Sequence, residues 1–161
     1  MYVPFSHLPA NARLWIYGIN KTLNEQERSA IKEDLTAFLT QWTAHQQSLE
    51  ASFLIPYDAF IVIALNENKT TASGCSIDAS IHFLQQLEKK YSIALFDRMQ
   101  VAIKHSDTIE RHSLAAFKEQ VKVGICTKET VVFNNLVNTK EAFESSWETP
   151  AYLSWHKRFF E

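Results

Sequence analysis

The stretch Ala51-Ser-Phe-Leu-Ile-Pro-Tyr-Asp-Ala-Phe-Ile-Val-Ile-Ala-Leu65 holds two apolar runs on either side of Pro56-Tyr57-Asp58. Proline presets the backbone angle of a turn and aspartate is favoured in turns, so the stretch predicts a β-hairpin. Its second arm, Ala59 to Leu65, is apolar at every position. A strand without polar alternation is covered on both faces, so we expect this arm at the centre of a sheet.

A strand and a helix are predicted before the hairpin. Arg13 to Ile19 is a β-branched and aromatic run that is typical of a strand. Asn24 stands three residues before Glu27, an asparagine-led capping box that marks the start of a helix. From about Glu25 to His45, apolar residues recur on one helical face: Ile31, Leu35, Phe38, Leu39 and Trp42.

After the hairpin, a polar run from Asn66 to Asp78 leads into a second amphipathic helix that reaches about Lys90, and Met99 to Ile103 alternates like a strand. The order β-α-β-β-α-β is that of the ferredoxin-like, split βαβ arrangement. We therefore predict an α+β fold with a ferredoxin-like core over about 13–104, an antiparallel sheet and both helices on one face.

Residues 105–161 are predicted to form a C-terminal α/β extension. Its expected elements are a hairpin arm at Thr108–Arg111, a Ser113-capped helix to Val123, a strand at Thr130–Phe133 and a helix from Thr139 that ends before Pro150. Because no Gly/Ser-rich or Pro-rich linker separates the extension from the core, residues 1–161 are expected to form a single globular domain.

Composition excludes several classes of partner. The chain has 161 residues, is 46% hydrophobic and carries a net charge of −2, so nothing attracts nucleic acid or an anionic membrane surface. No apolar run approaches the ~20 residues that span a bilayer. The N-terminus does not resemble a signal peptide, and two cysteines make no disulfide framework. A cytoplasmic location and no membrane are the expectation.

Nucleotide-binding and metal motifs are missing. The three glycines, Gly18, Gly74 and Gly124, cannot form a P-loop or a dinucleotide-binding G-x-G-x-x-G. No His-x-x-x-His or Cys-x-x-Cys pair occurs, so we expect no metal and no cofactor. P-loop ATPase activity is thereby argued against, and the chain lacks a recognisable catalytic set.

The most distinctive segment, Ser73-Gly74-Cys75-Ser76, lies where the second helix is predicted to start. A helix N-terminus attracts anions and favours the thiolate form of a cysteine placed there. Ser73, Gly74 and Ser76 are therefore candidate ligand-binding residues, and Cys75 with Asp78 a candidate catalytic pair. In the structural alternative, serine caps the helix, Asp78 suits its first turn and Cys75 packs as a small apolar residue.

Asn134, Asn135 and Asn138 lie beside apolar residues and offer amide donors and acceptors to a ligand. The alternative is that these asparagines satisfy turn backbone after a strand. The C-terminal tail is unusually aromatic, and it is expected to pack on its own domain or on a second subunit: Trp147, Tyr152, Trp155, Phe159 and Phe160.

Six strings together carry a family resemblance: Val3-Pro-Phe-Ser6, Trp15-Ile-Tyr17, Gln41-Trp-Thr-Ala-His45, Ala72-Ser-Gly-Cys-Ser-Ile-Asp-Ala-Ser80, Leu95-Phe-Asp-Arg98 and Val132-Phe-Asn-Asn-Leu-Val-Asn-Thr139. Over nearly its whole length the chain resembles a family of small uncharacterised proteins from Bacteroidetes-type bacteria. Members often carry the label "ABC transporter ATPase", which implies a phosphate-binding loop that this chain lacks. The resemblance supplies no catalytic residues.

Three hypotheses about function follow. The first is a cytoplasmic binding or interaction module without enzymatic activity, with a homodimer or a protein partner contacted through the aromatic tail. The second is a thiol-dependent enzyme or redox protein that uses Cys75. The third is anion or small-molecule binding at the helix start, which requires Ser73–Ser76 and Asn134–Asn138 to share one pocket.

Overall fold

The structure is a computed structural model that describes all 161 residues. Its strands and α-helices, in chain order, are β1 (Arg13–Gly18), α1 (Glu25–Gln41), β2 (Thr43–Ala44), β3 (Gln47–Ser48), β4 (Ala51–Leu54), β5 (Phe60–Leu65), α2 (Gly74–Tyr91), β6 (Gln100–His105), β7 (Thr108–Ser113), α3 (Leu114–Lys122), β8 (Val131–Phe133), α4 (Lys140–Ser146) and β9 (Glu148–Pro150). No helix is both long enough and apolar enough to cross a membrane.

The first sheet has the strand order β1-β5-β4, and both pairs of neighbours are antiparallel. Every residue of β5 is buried, so the predicted hairpin and its central second arm are confirmed. Helices α1 and α2 cover one face of this sheet, where Trp15 and Tyr17 of β1 pack. Leu14 and Ile16 alternate to the opposite face. The asparagine-led capping box of α1 is formed, because Asn24 Oδ1 accepts the Glu27 N–H at 2.8 Å.

Helix α1 ends at Gln41, so the prediction that it reaches His45 was wrong. Trp42 leaves the helical backbone conformation, and its Nε1–H donates to the Ser76 carbonyl at 2.8 Å. A short β2–β3 hairpin follows, with His45 and Gln46 at positive φ in its turn. The apolar position at Trp42 therefore serves the contact between the two helices without extending the helix.

The second sheet has the order β7-β6-β8-β9. It takes β6, the strand expected to be the fourth strand of the core, so a ferredoxin-like core is not confirmed, whereas the α+β class with antiparallel sheets is. Val101 and Ile103 of β6 are buried against Phe117 and Val132. This burial gives β6 an apolar environment of its own in the second sheet.

The extension contains the predicted elements. Strand β7 pairs with β6, Ser113 caps α3, and Thr139 caps α4. Strand β9 was not anticipated, nor were the 3-10 helices at Ala151–Leu153 and Trp155–Phe160. The two sheets meet at an aromatic junction of Phe60, Phe133 and Trp147, with ring centroids 4.7 to 5.0 Å apart.

The aromatic tail packs on its own chain. The rings of Phe117 and Phe159 meet edge to face at 5.3 Å, and Trp155 and Phe160 join the same cluster. Tyr152 stays exposed. Because most of the tail is used within the chain, a homodimer or a protein partner through the tail stays a prediction.

Candidate functional site

A cavity of about 370 Å³ lies between the two sheets, along the edge of β1 that does not pair with β5. Residues 14–20 form one wall and residues 94–98 another. Arg111, Trp155 and residues 135–138 complete the lining together with parts of β5, β6 and β8.

The edge of β1 is tied down only at its two ends. At one end, the Leu14 N–H donates to the Asn138 carbonyl at 2.9 Å. At the other end, the Ala94 N–H donates to Asn20 Oδ1 at 2.8 Å, and the Asn20 N–H donates to the Ala94 carbonyl at 3.2 Å. Between these two sets of hydrogen bonds, the residues that face β1 lie away from its edge. This gap leaves the cavity open along β1.

The walls of the cavity are mostly apolar, since 15 of its 23 lining residues are hydrophobic. Tyr17 and Phe96 meet edge to face, with ring centroids 5.5 Å apart. Burial raises the pKa of Tyr17, and the nearby positive charge of Arg98 acts in the opposite direction. Planar rings and a low local polarity therefore suit a flat apolar ligand.

Two arginines, the exposed Arg98 and the half-buried Arg111, line this space, and neither forms an ion pair with a carboxylate. Arg111 Nε donates to the Ile19 carbonyl at 2.7 Å. Desolvation by burial lowers the pKa of the half-buried Arg111 guanidinium from its ordinary value. An uncompensated cation in such a place favours an anionic ligand.

Asp97 is the one acidic residue in the lining. Its carboxylate accepts the Met99 N–H at 2.9 Å and the Gln100 side-chain amide at 3.2 Å. The acid is therefore engaged in closing the turn before β6, and it makes no hydrogen bond to either arginine.

The residues at the predicted start of the second helix cap that helix. Ser73 Oγ accepts the Ser76 N–H at 3.1 Å, while the Ser73 N–H donates to Ser76 Oγ at 2.8 Å, which together make a capping box for α2. Gly74 has a negative φ and open space around its Cα, so no close approach requires glycine there. None of Ser73, Gly74, Cys75 or Ser76 lines the cavity.

Cys75 and Asp78 are both exposed on the first turns of α2, and neither makes a side-chain hydrogen bond or an ion pair. His82, on the same helix, contacts Gln86 at 3.3 Å. No group of three or more His, Cys, Asp or Glu side chains is arranged to hold a metal ion. No histidine or carboxylate is hydrogen-bonded to Cys75, and thiol chemistry at this residue stays a prediction.

The asparagine run divides between two roles. Asn134 Oδ1 accepts the Leu136 N–H at 3.2 Å, which is the turn-forming alternative. Asn135 and Asn138 line the cavity, and Asn135 Oδ1 accepts the Trp147 indole N–H at 2.8 Å. The cavity is lined by Asn135 and Asn138 but by no residue of Ser73–Ser76. The two segments therefore do not share this cavity.

The main residues of the cavity escaped the sequence analysis as site residues. Arg98 belonged to the family-like string Leu95-Phe-Asp-Arg98, but its role depends on the approach of residues 94–98 to β1. Arg111 lies on β7 of the other sheet. The sequence offered no local signal for these arginines, because Asp97 stands directly before Arg98 and Glu110 directly before Arg111.

The two cysteines should differ sharply in reactivity. Cys126 is buried, and burial, with the negative charge of Glu110, raises the pKa of its thiol, whereas Cys75 is exposed. We expect iodoacetamide to modify one cysteine in the native protein and two in urea, as counted by intact-mass spectrometry. A Cys75→Ser variant should take up no label before unfolding. Rapid native labelling of that variant would contradict the placement of Cys126.

Searches of protein-family models, curated proteins and solved structures with this chain found no significant match in any of the three. The family resemblance therefore stays a prediction.

Proposed function

We propose that the chain is a binding protein and that its cavity takes the acidic group of an apolar organic ligand. The observation that carries the proposal is the pair Arg98 and Arg111, two guanidinium groups on an apolar cavity with no carboxylate partner. Arg111 is half-buried and Arg98 is exposed. A partly desolvated charge is costly unless it is paired, so a carboxylate, sulfonate or phosphate would offset that cost at Arg111 and meet a second cation at Arg98.

The remaining lining supports the same kind of ligand. Tyr17, Phe96 and Trp155 offer aromatic surface to a planar body. Asn135 and Asn138 add amide groups that accept or donate hydrogen bonds. A volume of about 370 Å³ lies near the lower end of the range for ligand pockets, so the enclosed part of the ligand is small.

We also propose a relation between this site and the fold expected from the sequence. The strand order β1-β5-β4, with α1 and α2 on one face, is that of a ferredoxin-like sheet without its fourth strand, which would pair with the free edge of β1. The ligand would thus occupy the place of a strand. A cytoplasmic location is retained as a proposal from the sequence.

Two fluorescent probes test the proposed function: 1-anilinonaphthalene-8-sulfonate, which is anionic, and N-phenyl-1-naphthylamine, its neutral counterpart. We expect Arg98→Gln and Arg111→Gln each to weaken the sulfonate about tenfold or more. A charge-assisted hydrogen bond contributes about 1.5–3 kcal/mol, and each ~1.4 kcal/mol is a factor of ten. The neutral probe should change by less than about threefold, since it makes no such bond.

Arg28→Gln is the matched control, because Arg28 pairs with Asp58 outside the cavity and its loss changes the net charge equally. It should leave both affinities unchanged. Thermal melting of each variant verifies folding. If the sulfonate binds the Arg98 and Arg111 variants as tightly as the parent protein, the proposed function is wrong.

A further inference from the structure

The free edge of β1 presents unpaired backbone groups to the cavity. The Ile19 N–H donates to Ala59 on the β5 side, whereas the Leu14 N–H donates to Asn138 on the other side. Because these directions alternate along an antiparallel strand, the N–H and C=O groups of Ile16 and Gly18 point to the free edge, as does the Leu14 carbonyl. No side chain hydrogen-bonds to any of them.

An unpaired strand edge is a template for another extended chain. Residues 14–18 span roughly 14 Å at ~3.4 Å per residue, which matches an incoming segment of about four residues. Ile16, Tyr17 and Gly18 are half-buried and line the cavity. A peptide strand would satisfy these groups, whereas a compact small molecule would satisfy one or two of them.

The charges give this strand a direction. Arg111 donates to the Ile19 carbonyl, so its guanidinium lies at the end of β1 where Gly18 stands, and Arg98 lies beside Tyr17. At the opposite end, beside Leu14 and Asn138, no charged side chain lines the cavity. We therefore expect a bound chain to place its negative charge near Gly18. In an unmodified peptide this charge is the terminal carboxylate.

We propose that the ligand is the C-terminal segment of a peptide or protein, which adds to β1 as a parallel strand and places its α-carboxylate between Arg98 and Arg111. This proposal rests on the proposed function, because it names the ligand class of the same cavity. Strand addition gives affinity through the main chain, and alternate side chains enter pockets on either face.

The probes are acetylated tetrapeptides built from Ala, Val, Leu and Phe, each made as the free acid and as the amide. We expect the best free acid to bind at least tenfold more tightly than its amide in isothermal titration calorimetry. Its binding should slow hydrogen exchange at the Ile16 and Gly18 amides. In a strand, adjacent peptide N–H groups point to opposite sides. Of two neighbouring central residues, only one should therefore point its N–H toward β1. N-methylation at that residue should weaken binding tenfold or more, and N-methylation at its neighbour should weaken binding less than threefold.

The outcomes separate the two proposals. If the Arg-dependent sulfonate binding holds but no tetrapeptide binds, or the two N-methyl isomers bind equally, strand addition is wrong and the proposed function stands. If the anionic probe shows no dependence on the arginines, the proposed function fails first. An Arg98→Gln variant should abolish the preference for the free acid over the amide, and a retained preference would overturn the assignment of the carboxylate site.

Discussion

Replacing Trp147 with alanine is expected to destabilise the protein by about 3–5 kcal/mol, the range for removing a large aromatic side chain from a core. The indole lies 5.0 Å from the Phe60 ring and 4.7 Å from each of the Phe133 and Phe143 rings. Phe60 belongs to the first sheet and Phe133 to the second, so the truncation leaves a void at the junction that positions the cavity. Urea unfolding followed by circular dichroism measures the change.

Two further variants show how much of this loss comes from ring packing and how much from the hydrogen bond. Trp147→Phe keeps most of the ring packing and loses the hydrogen bond to Asn135, so it should cost about 1 kcal/mol. Tyr152→Ala removes an exposed aromatic ring and should stay within about 0.5 kcal/mol of the parent. A loss below about 1 kcal/mol for Trp147→Ala would show that the junction does not hold the sheets together.

Acidification should destabilise the fold through His156. This side chain is buried, and burial, with the positive charge of Arg158, lowers its pKa from 6.5 to about 4. Below pH 6.5 the unfolded chain takes up a proton that the folded protein does not. Stability is therefore complete above pH 6.5 and is lost as the pH falls toward 4. The linkage relation gives a loss of about 2 kcal/mol between pH 7 and pH 5 from this group.

Urea unfolding at pH 7, 6 and 5 measures this loss in a range where carboxylates still contribute little. His156→Gln should lower stability at pH 7, since it disturbs the contact with Ser154 at 2.6 Å, but it should flatten the dependence on pH. His82→Gln, an exposed histidine, should keep the parent slope. Equal slopes for the parent and His156→Gln would mean that another group causes the acid sensitivity.

The local elements were predictable because their causes are local. Asn24 and Ser73 stand where a side chain caps a helix, and both caps form. The uninterrupted apolar run of β5 predicted a strand with both faces covered, and it is central in its sheet. Periodicity and capping involve residues within about four positions of one another, so a single sequence carries these signals.

The site was not predictable in the same way because it depends on long-range contacts. Whether Gln100–His105 pairs with β1 or with β8 is a competition between two sheets, and the alternation of Val101 and Ile103 fits either one. Once β6 joins the second sheet, the edge of β1 is left free, and Arg98 and Arg111 line the cavity beside it. The Ser73–Ser76 segment is the contrasting case: its polar residues satisfy a local cap, and the ligand-binding role expected for them stays a prediction.

A crystal structure of the protein with 4-iodobenzoate, in which anomalous scattering locates the iodine, tests whether the cavity binds a carboxylate through its arginines. We predict the iodine inside the cavity beside β1 and the carboxylate about 2.7–2.9 Å from the guanidinium nitrogens of Arg98 and Arg111. Iodobenzoate bound elsewhere, or bound in the cavity with its carboxylate turned away from both arginines, would show that the cavity is not an acid-binding site.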